Sequence, residues 1–318
     1  MLSSENIFVG LPRLVRLALC AFLAVLSVGC ATAQNEPELD LAAAQELTGQ
    51  AVVQERRGNY SGALANYIAA VKLTPSAELW HEIGRMHLGM RDEMQAMSAF
   101  GNAVKLNPEH APSLEAVGLL NLKWKQTVLS REFLERAIAA DTESWKALNG
   151  LAILDSLDGR HRDAQVRYQA ALEIRPDAAD VLNNLGYSQF LAGMSEVAAE
   201  HLVDAVKHKR DHKVAWSNLA MVMARQGRYT DAFNILERNY SVAVAYHDVG
   251  YMALINGEYA RAEDLLSKAL QASPRYFEEA DKNREIARNR LLGNEEGSFV
   301  VRKDAGNPYC IGLGEEGC

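Results

Sequence analysis

Cysteine is almost missing from this sequence. Cys20 and Cys30 fall in the first thirty residues and Cys310 and Cys318 in the last nine, and nothing between them carries a thiol. That placement builds neither a zinc site nor a disulfide framework for the body of the chain. Aromatic residues make up only 7%, and 22 glycines with 8 prolines are too few for a collagenous or low-complexity chain. There is no dense run of Lys and Arg: 33 of them stand against 41 Asp and Glu, a formal charge of −8. Such a chain lacks the basic footprint that concentrates a protein on phosphate backbones, which argues against nucleic-acid binding. The strings of catalysis are missing as well. No G-x-x-x-x-G-K-[ST], H-E-x-x-H, C-x-x-C or G-x-S-x-G occurs, and the one G-x-G-x-x-G string, Gly312 to Gly317, lies in the polar tail with no helical pattern after it, so the common phosphate, metal and acyl-transfer signatures lack their context and no cofactor is expected. His201, His208 and His212 could share a helix face as metal ligands, but Lys207, Lys209, Arg210 and Lys213 around them read better as a solvated basic corner. The pairs Glu295-Glu296 and Glu315-Glu316 lie in a polar tail that would not hold them as an acid/base couple.

What is present begins with an export signal. Arg13 and Arg16 precede an apolar run from Leu17 to Val28 that only Ser27 interrupts. A bilayer span takes roughly 20 apolar residues, so this run suits a cleavable signal better than a transmembrane helix. Ser27-Val28-Gly29-Cys30 resembles a lipobox, although Leu26 stands one place early. Lipidation at Cys30 would anchor the chain through several acyl chains with no membrane-spanning helix. Ala31-Thr32-Ala33 offers the competing cleavage, which would release a soluble periplasmic protein starting at Gln34. The expected location is the periplasmic side of the outer membrane as a lipoprotein, with soluble periplasm as the alternative.

With 318 residues and 48% hydrophobic content, the chain has room for two average domains or one elongated repeat array. It repeats with a period near thirty-four from Ala44, and Pro75, Pro108, Pro176 and Pro274 mark repeat ends. The clearest unit sets Trp80, Ile83, Gly84 and His87 on a first helix and Ala96, Phe100 and Ala103 on a second, before Pro108. Residues three and four apart share a helix face, and the small residues let two helices approach closely. This spacing resembles the tetratricopeptide repeat. The resemblance implies an all-α superhelix, an α-solenoid of about seven hairpins, with units at 44–76, 77–110, 111–144, 145–178, 179–212, 213–242 and 243–276. The third is the most degenerate, with Ser130 and Thr142 in place of alanine and proline, and the sixth ends early, so its second helix should be short or distorted. A charged capping helix is expected at 277–292. A signal peptide (1–29), a lipidated tether (30–43) and a tail (293–318) flank the array, and in an oxidising compartment Cys310 and Cys318 could close a small loop.

In the tetratricopeptide family, the first helices line a concave groove. The resemblance therefore points to His81, Glu82, Arg85, Glu115, Asn149, Asn183, Asn184, Tyr187, Ser217, Asn218, Met221, Arg225, His247, Asp248 and Tyr251. Asn149, Asn183 and Asn218 recur at the same repeat position. A carboxamide both donates and accepts, so it can pair with the backbone of any extended peptide; the other reading is that each asparagine bonds to a neighbouring repeat. Trp80, Trp216, Phe100 and Tyr168 hold landmark positions and belong to the core.

Function reads as binding without catalysis: a membrane-tethered scaffold for an envelope protein segment. The export signal, the repeats throughout, and the strings VLNNLGYSQFLAGM and AWSNLAMVMARQGRYTDA resemble the TadD lipoproteins of the Flp (Tad) pilus assembly system. That resemblance implies a pilotin-like role, with a secretin or other pilus assembly component as the partner. Adaptors for peptidoglycan hydrolases of the NlpI kind and accessory subunits of polysaccharide export are the alternatives.

Overall fold

The computed structural model describes residues 36–294 and 298 of the chain. Cys30, Cys310 and Cys318, and with them the candidate lipidation site and the candidate disulfide, lie outside the described residues. Among those described, fifteen helices occur and no strand. They divide between Pro108 and Glu109 into two compact units. Each is a stack of antiparallel helical hairpins, the tetratricopeptide architecture that the periodicity implies.

The first unit holds α1 (Glu36–Arg56), α2 (Tyr60–Leu73), α3 (Ala77–Gly89) and α4 (Glu93–Leu106). α1 starts inside the segment expected to be a tether, with Pro37 in its first turn, where a missing N–H costs nothing. Asn59, Ser76 and Asp92 cap the next three helices by accepting a backbone N–H into the side chain. The core gathers Ala51, Ala63, Tyr67, Val71, Ile83, Met86 and Ala99.

The second unit runs through α5 (Ala111–Lys123), α6 (Thr127–Ala140), α7 (Trp145–Leu157), α8 (His161–Ile174), α9 (Ala179–Leu191), α10 (Ser195–His208), α11 (Lys213–Arg225), α12 (Tyr229–Leu236), α13 (Val242–Ile255), α14 (Tyr259–Ala272) and α15 (Glu278–Leu291). Small landmark residues set the spacing within each hairpin. A methyl added to Gly186 would lie 2.7 Å from Leu202 Cγ and 3.0 Å from the Ala198 carbonyl oxygen, so α9 and α10 meet with no room for a side chain. As the early end of the sixth repeat requires, α12 has only 8 residues. Its following loop turns back so that the Tyr240 and Ser217 hydroxyls meet at 2.9 Å. α15 closes the unit, burying Ala280, Asn283, Ile286 and Ala287 while arginines and carboxylates fill its open side.

All seven hairpins turn the same way. A three-residue link joins the first helix to the second, and its middle residue is left-handed. Five of those residues are glycine: Gly58, Gly159, Gly193, Gly227 and Gly257. Arg91 (φ 63°) and Lys125 (φ 59°) hold the same place in the second and third hairpins, where a Cβ strains the backbone.

Candidate peptide-binding face

Several first-helix side chains near the small landmark residue reach a neighbouring repeat. In the first unit, His81 is half-buried with its ring 5.2 Å from that of Phe100. Arg85 reaches across to the previous hairpin, pairing with Glu55 at 2.6 Å and with Glu82 on its own helix. Burial raises the Glu82 carboxyl and Arg85 opposes that rise. Burial, reinforced by Glu82 and Glu55, pushes the Tyr67 hydroxyl beneath them up to about 12.

The second unit places the four asparagines differently from the groove expectation. Asn149, Asn183 and Asn184 are 0% exposed and Asn218 is 3% exposed. The Asn184 amide donates to Asn149 Oδ1 at 2.9 Å, Asn183 donates to Asn184 Oδ1 at 3.0 Å, and Asn218 donates to Asn183 Oδ1 at 2.9 Å. The carboxamides form a ladder through three first helices, and buried amides engaged in this way do not meet a ligand. The neighbouring-repeat role is thus the one the structure gives them. Their register also corrects the supposed common position. Asn149 and Asn183 stand three residues before their small landmarks, Ala152 and Gly186, whereas Asn184 and Asn218 stand two before Gly186 and Ala220. The rule of the ladder is that the earlier repeat's third-before residue accepts from the next repeat's second-before residue, 35 positions on.

The same geometry recurs at the end of the array. His247, three before Gly250, takes the Asn283 amide of α15 at its Nε2 (3.4 Å), while its Nδ1 bonds the Asp248 carboxylate at 2.9 Å. Its ring lies 4.9 Å from Phe277 and stacks on Tyr251 at 6.4 Å. His247 is buried, Asp248 half-buried. In the third repeat, Glu115 accepts from the Ser144 hydroxyl at 2.6 Å; burial raises this carboxyl, and the hydrogen bond opposes the rise.

A second polar cluster was not visible in the sequence. Asp155 occupies the place of the usual Tyr late in the first helix of its repeat, and its side chain is 3% exposed. Arg131 (3.0 Å), Arg160 (2.6 Å) and Arg167 (2.8 Å) converge on it from α6, the α7–α8 turn and α8. Burial alone would raise the carboxyl, but the hydrogen bonds from Arg160, Arg131 and Arg167 outweigh it and hold the group below its ordinary value. Beside it, the Ser156 hydroxyl donates to Ser188 of the next repeat at 3.2 Å.

Tyr187, Met221, Arg225 and Tyr251 keep part of their surface open. Arg225 donates to Asn256 Oδ1 in the next repeat at 2.9 Å. Tyr187 and Phe190 rings lie 6.3 Å apart. Burial raises the hydroxyls of both Tyr187 and Tyr251, and Tyr187 feels Tyr251 as well, so the two rings stand within electrostatic reach. Of the three histidines weighed as metal ligands, His212 is buried at the start of α11. Its Nδ1 accepts from the Ala215 N–H (3.3 Å), and its Nε2 lies 3.3 Å from Asp180. His201 bonds the Val197 carbonyl instead. Among the described residues no three His, Cys, Asp or Glu side chains form a group able to hold a metal ion, and no helix is long and apolar enough to cross a membrane.

Known proteins share this arrangement of helices. The tetratricopeptide repeat family matches residues 77–110. Protein CTR9 homolog of Arabidopsis thaliana is 25% identical over 72% of this chain and 22% of its own length, and the chain spans less than a third of each curated relative it matches. Among solved structures, a tetratricopeptide repeat protein from Parabacteroides merdae superposes with a TM-score of 0.53 at 15% identity, covering 78% of this chain and all of that one. PilF of Pseudomonas aeruginosa gives a TM-score of 0.52 at 15% identity over 67% of this chain and 97% of its own. At such identities the likeness is one of fold.

Proposed function

We propose that this tetratricopeptide repeat protein is a non-enzymatic, pilotin-like lipoprotein scaffold of the bacterial envelope, acting in Flp (Tad) pilus or secretin assembly. The observation that carries the reading is the order of parts in the chain: a basic and apolar segment that reads as an export signal over 1–29, then Cys30, then hairpin repeats up to a closing helix. Export puts the chain in the envelope. Tandem first helices then offer an extended face suited to a protein segment. Acylation of Cys30 fixes that face near the outer membrane, where a secretin is assembled. The resemblance of the repeats near 181–232 to TadD lipoproteins selects the pilus machine among envelope assemblies.

Two experiments test this. Deleting the gene abolishes surface pili and alters secretin localisation or multimerisation while pilin synthesis continues. Normal piliation with displaced cell-wall hydrolases would instead identify a peptidoglycan adaptor. Cys30→Ser moves the protein from the membrane to the soluble fraction, and a free, unmodified amino terminus at Gln34 in the wild type would refute lipidation.

A further inference from the structure

The closing helix of the second unit and the opening helix of the first are finished differently. On the outer side of α15 the charges already have partners: Glu278 and Lys282 pair at 2.5 Å, and Arg288 reaches Glu263 of α14 at 2.7 Å. Such a polar face is what a capping helix needs. α1 is built otherwise. It has 21 residues against the 14 of α2, and the side opposite its buried Ala44 and Ala51 exposes Leu39 (73%), Ala42, Glu46, Gly49 and Val53 (45%). These positions follow one another at steps of three and four, the spacing of a seam between two helices. A methyl added to Gly49 would meet nothing within 4 Å, so the backbone is open to close approach there. Charge is sorted along the same helix. Glu38 and Asp40 are exposed near its start, Arg56 ends it, and exposed Arg57 follows. None of these four side chains has an ion-pair partner among the described residues.

We propose that α1 is a self-association surface, through which two copies of this chain pair antiparallel about a two-fold axis. The alternating steps supply the seam, and Ala42 and Gly49 let the two backbones approach. The sorted charge fixes the direction. Parallel helices would set Arg56 and Arg57 against their own counterparts, whereas antiparallel helices bring them to Glu38 and Asp40 of the second copy and oppose the two helix dipoles. With Val53 opposite Ala42, Gly49 falls opposite Glu46, so the one carboxylate in the stripe faces a residue with no side chain. The outer face of α15, with its charges paired along its own length, offers no such seam.

The test is sedimentation equilibrium of the exported chain carrying Cys30→Ser, so that no acyl group drives association. A monomer–dimer equilibrium with a dissociation constant on the order of micromolar is expected for a single helix pair. Arg56→Glu with Arg57→Glu should weaken it about tenfold or more, and adding Glu38→Arg with Asp40→Arg to the same chain should restore it to within about threefold of wild type. Val53→Asp, at an exposed site, should weaken it about tenfold with an unchanged circular dichroism spectrum. A monomer at every concentration overturns the inference and leaves this end of the array to a different partner. A dimer that survives both the charge reversal and Val53→Asp overturns it as well, and so does one that the exchanged charges fail to rescue.

Discussion

Replacing Asn184 by alanine removes the centre of the asparagine ladder. Two bonds go together: Asn149 Oδ1 loses the donor it has in Asn184, and the Asn183 amide loses its acceptor. Each lies at a 0% exposed residue, so water does not replace the lost partner without entering the core. A buried polar group left short of a bond costs about 1–3 kcal/mol. The two losses, less what a water filling the vacated amide space returns, come to about 3 kcal/mol. For a unit of this size that lowers the melting temperature by roughly 6–12 °C. A useful contrast is Asn121, whose amide bonds only the Val117 carbonyl of its own helix; Asn121→Ala should cost about 1 kcal/mol. Thermal melts give the totals, and amide hydrogen exchange gives the location, because a linear array opens locally. Asn184→Ala should lower protection in α7, α9 and α11 together, whereas Asn121→Ala should act mainly on α5. The reasoning is refuted if Asn184→Ala melts within about 2 °C of wild type, or if its effect stays within α9. It is also refuted if stability is untouched and peptide binding is lost.

Asp155→Asn should destabilise the second unit by about 2 kcal/mol at neutral pH, because three arginines lose their common carboxylate; their partial exposure keeps the loss below that of a fully buried pair. The folded-state value of this carboxyl is lowered, so its contribution is full above about pH 4 and fades as pH falls through the lower folded value; urea melts of wild type and variant should therefore converge in acid. Lys125→Gly should raise stability by about 1 kcal/mol by relieving a left-handed backbone, measured in the same melts, and a loss would show that the lysine side chain contributes more than the strain costs.

Helix count, hairpin order, the short second helix of the sixth repeat and the closing helix were all legible in the sequence, because each follows from apolar spacing and landmark residues along a local stretch of chain. The asparagines were not. A carboxamide at a first-helix position has the same sequence signature whether it faces a ligand or the next repeat, and only the lateral approach of α7, α9 and α11 decides. Nor was the Asp155 cluster legible, since Arg131, Arg160 and Arg167 reach it from both sides in sequence and no motif spans those gaps. The left-handed turn residues left a readable trace in five glycines, which Arg91 and Lys125 interrupt. Of the candidate face, Tyr187, Met221 and Tyr251 stand where the family spacing placed them. Their shared openness depends on a change of packing between the fourth and fifth repeats that residue types alone do not encode.

The offset pairing of the ladder makes the fifth repeat an interchangeable part. Its Asn184 answers the repeat before it and its Asn183 the repeat after it, and Asn149 and Asn218 are themselves a matching acceptor and donor. Excising residues 179–212 would bring the fourth repeat against the sixth with Asn149 and Asn218 in the right order to bond, and duplicating the same stretch would lengthen the ladder by one rung. Excising the sixth repeat instead would set Asn183 against Asp248, whose carboxylate has no hydrogen to give. The asparagine ladder thus has one seam along which its length can change by a whole repeat with its amide pairing intact, removal of the fifth repeat costing only the Ser156–Ser188 bond beside it.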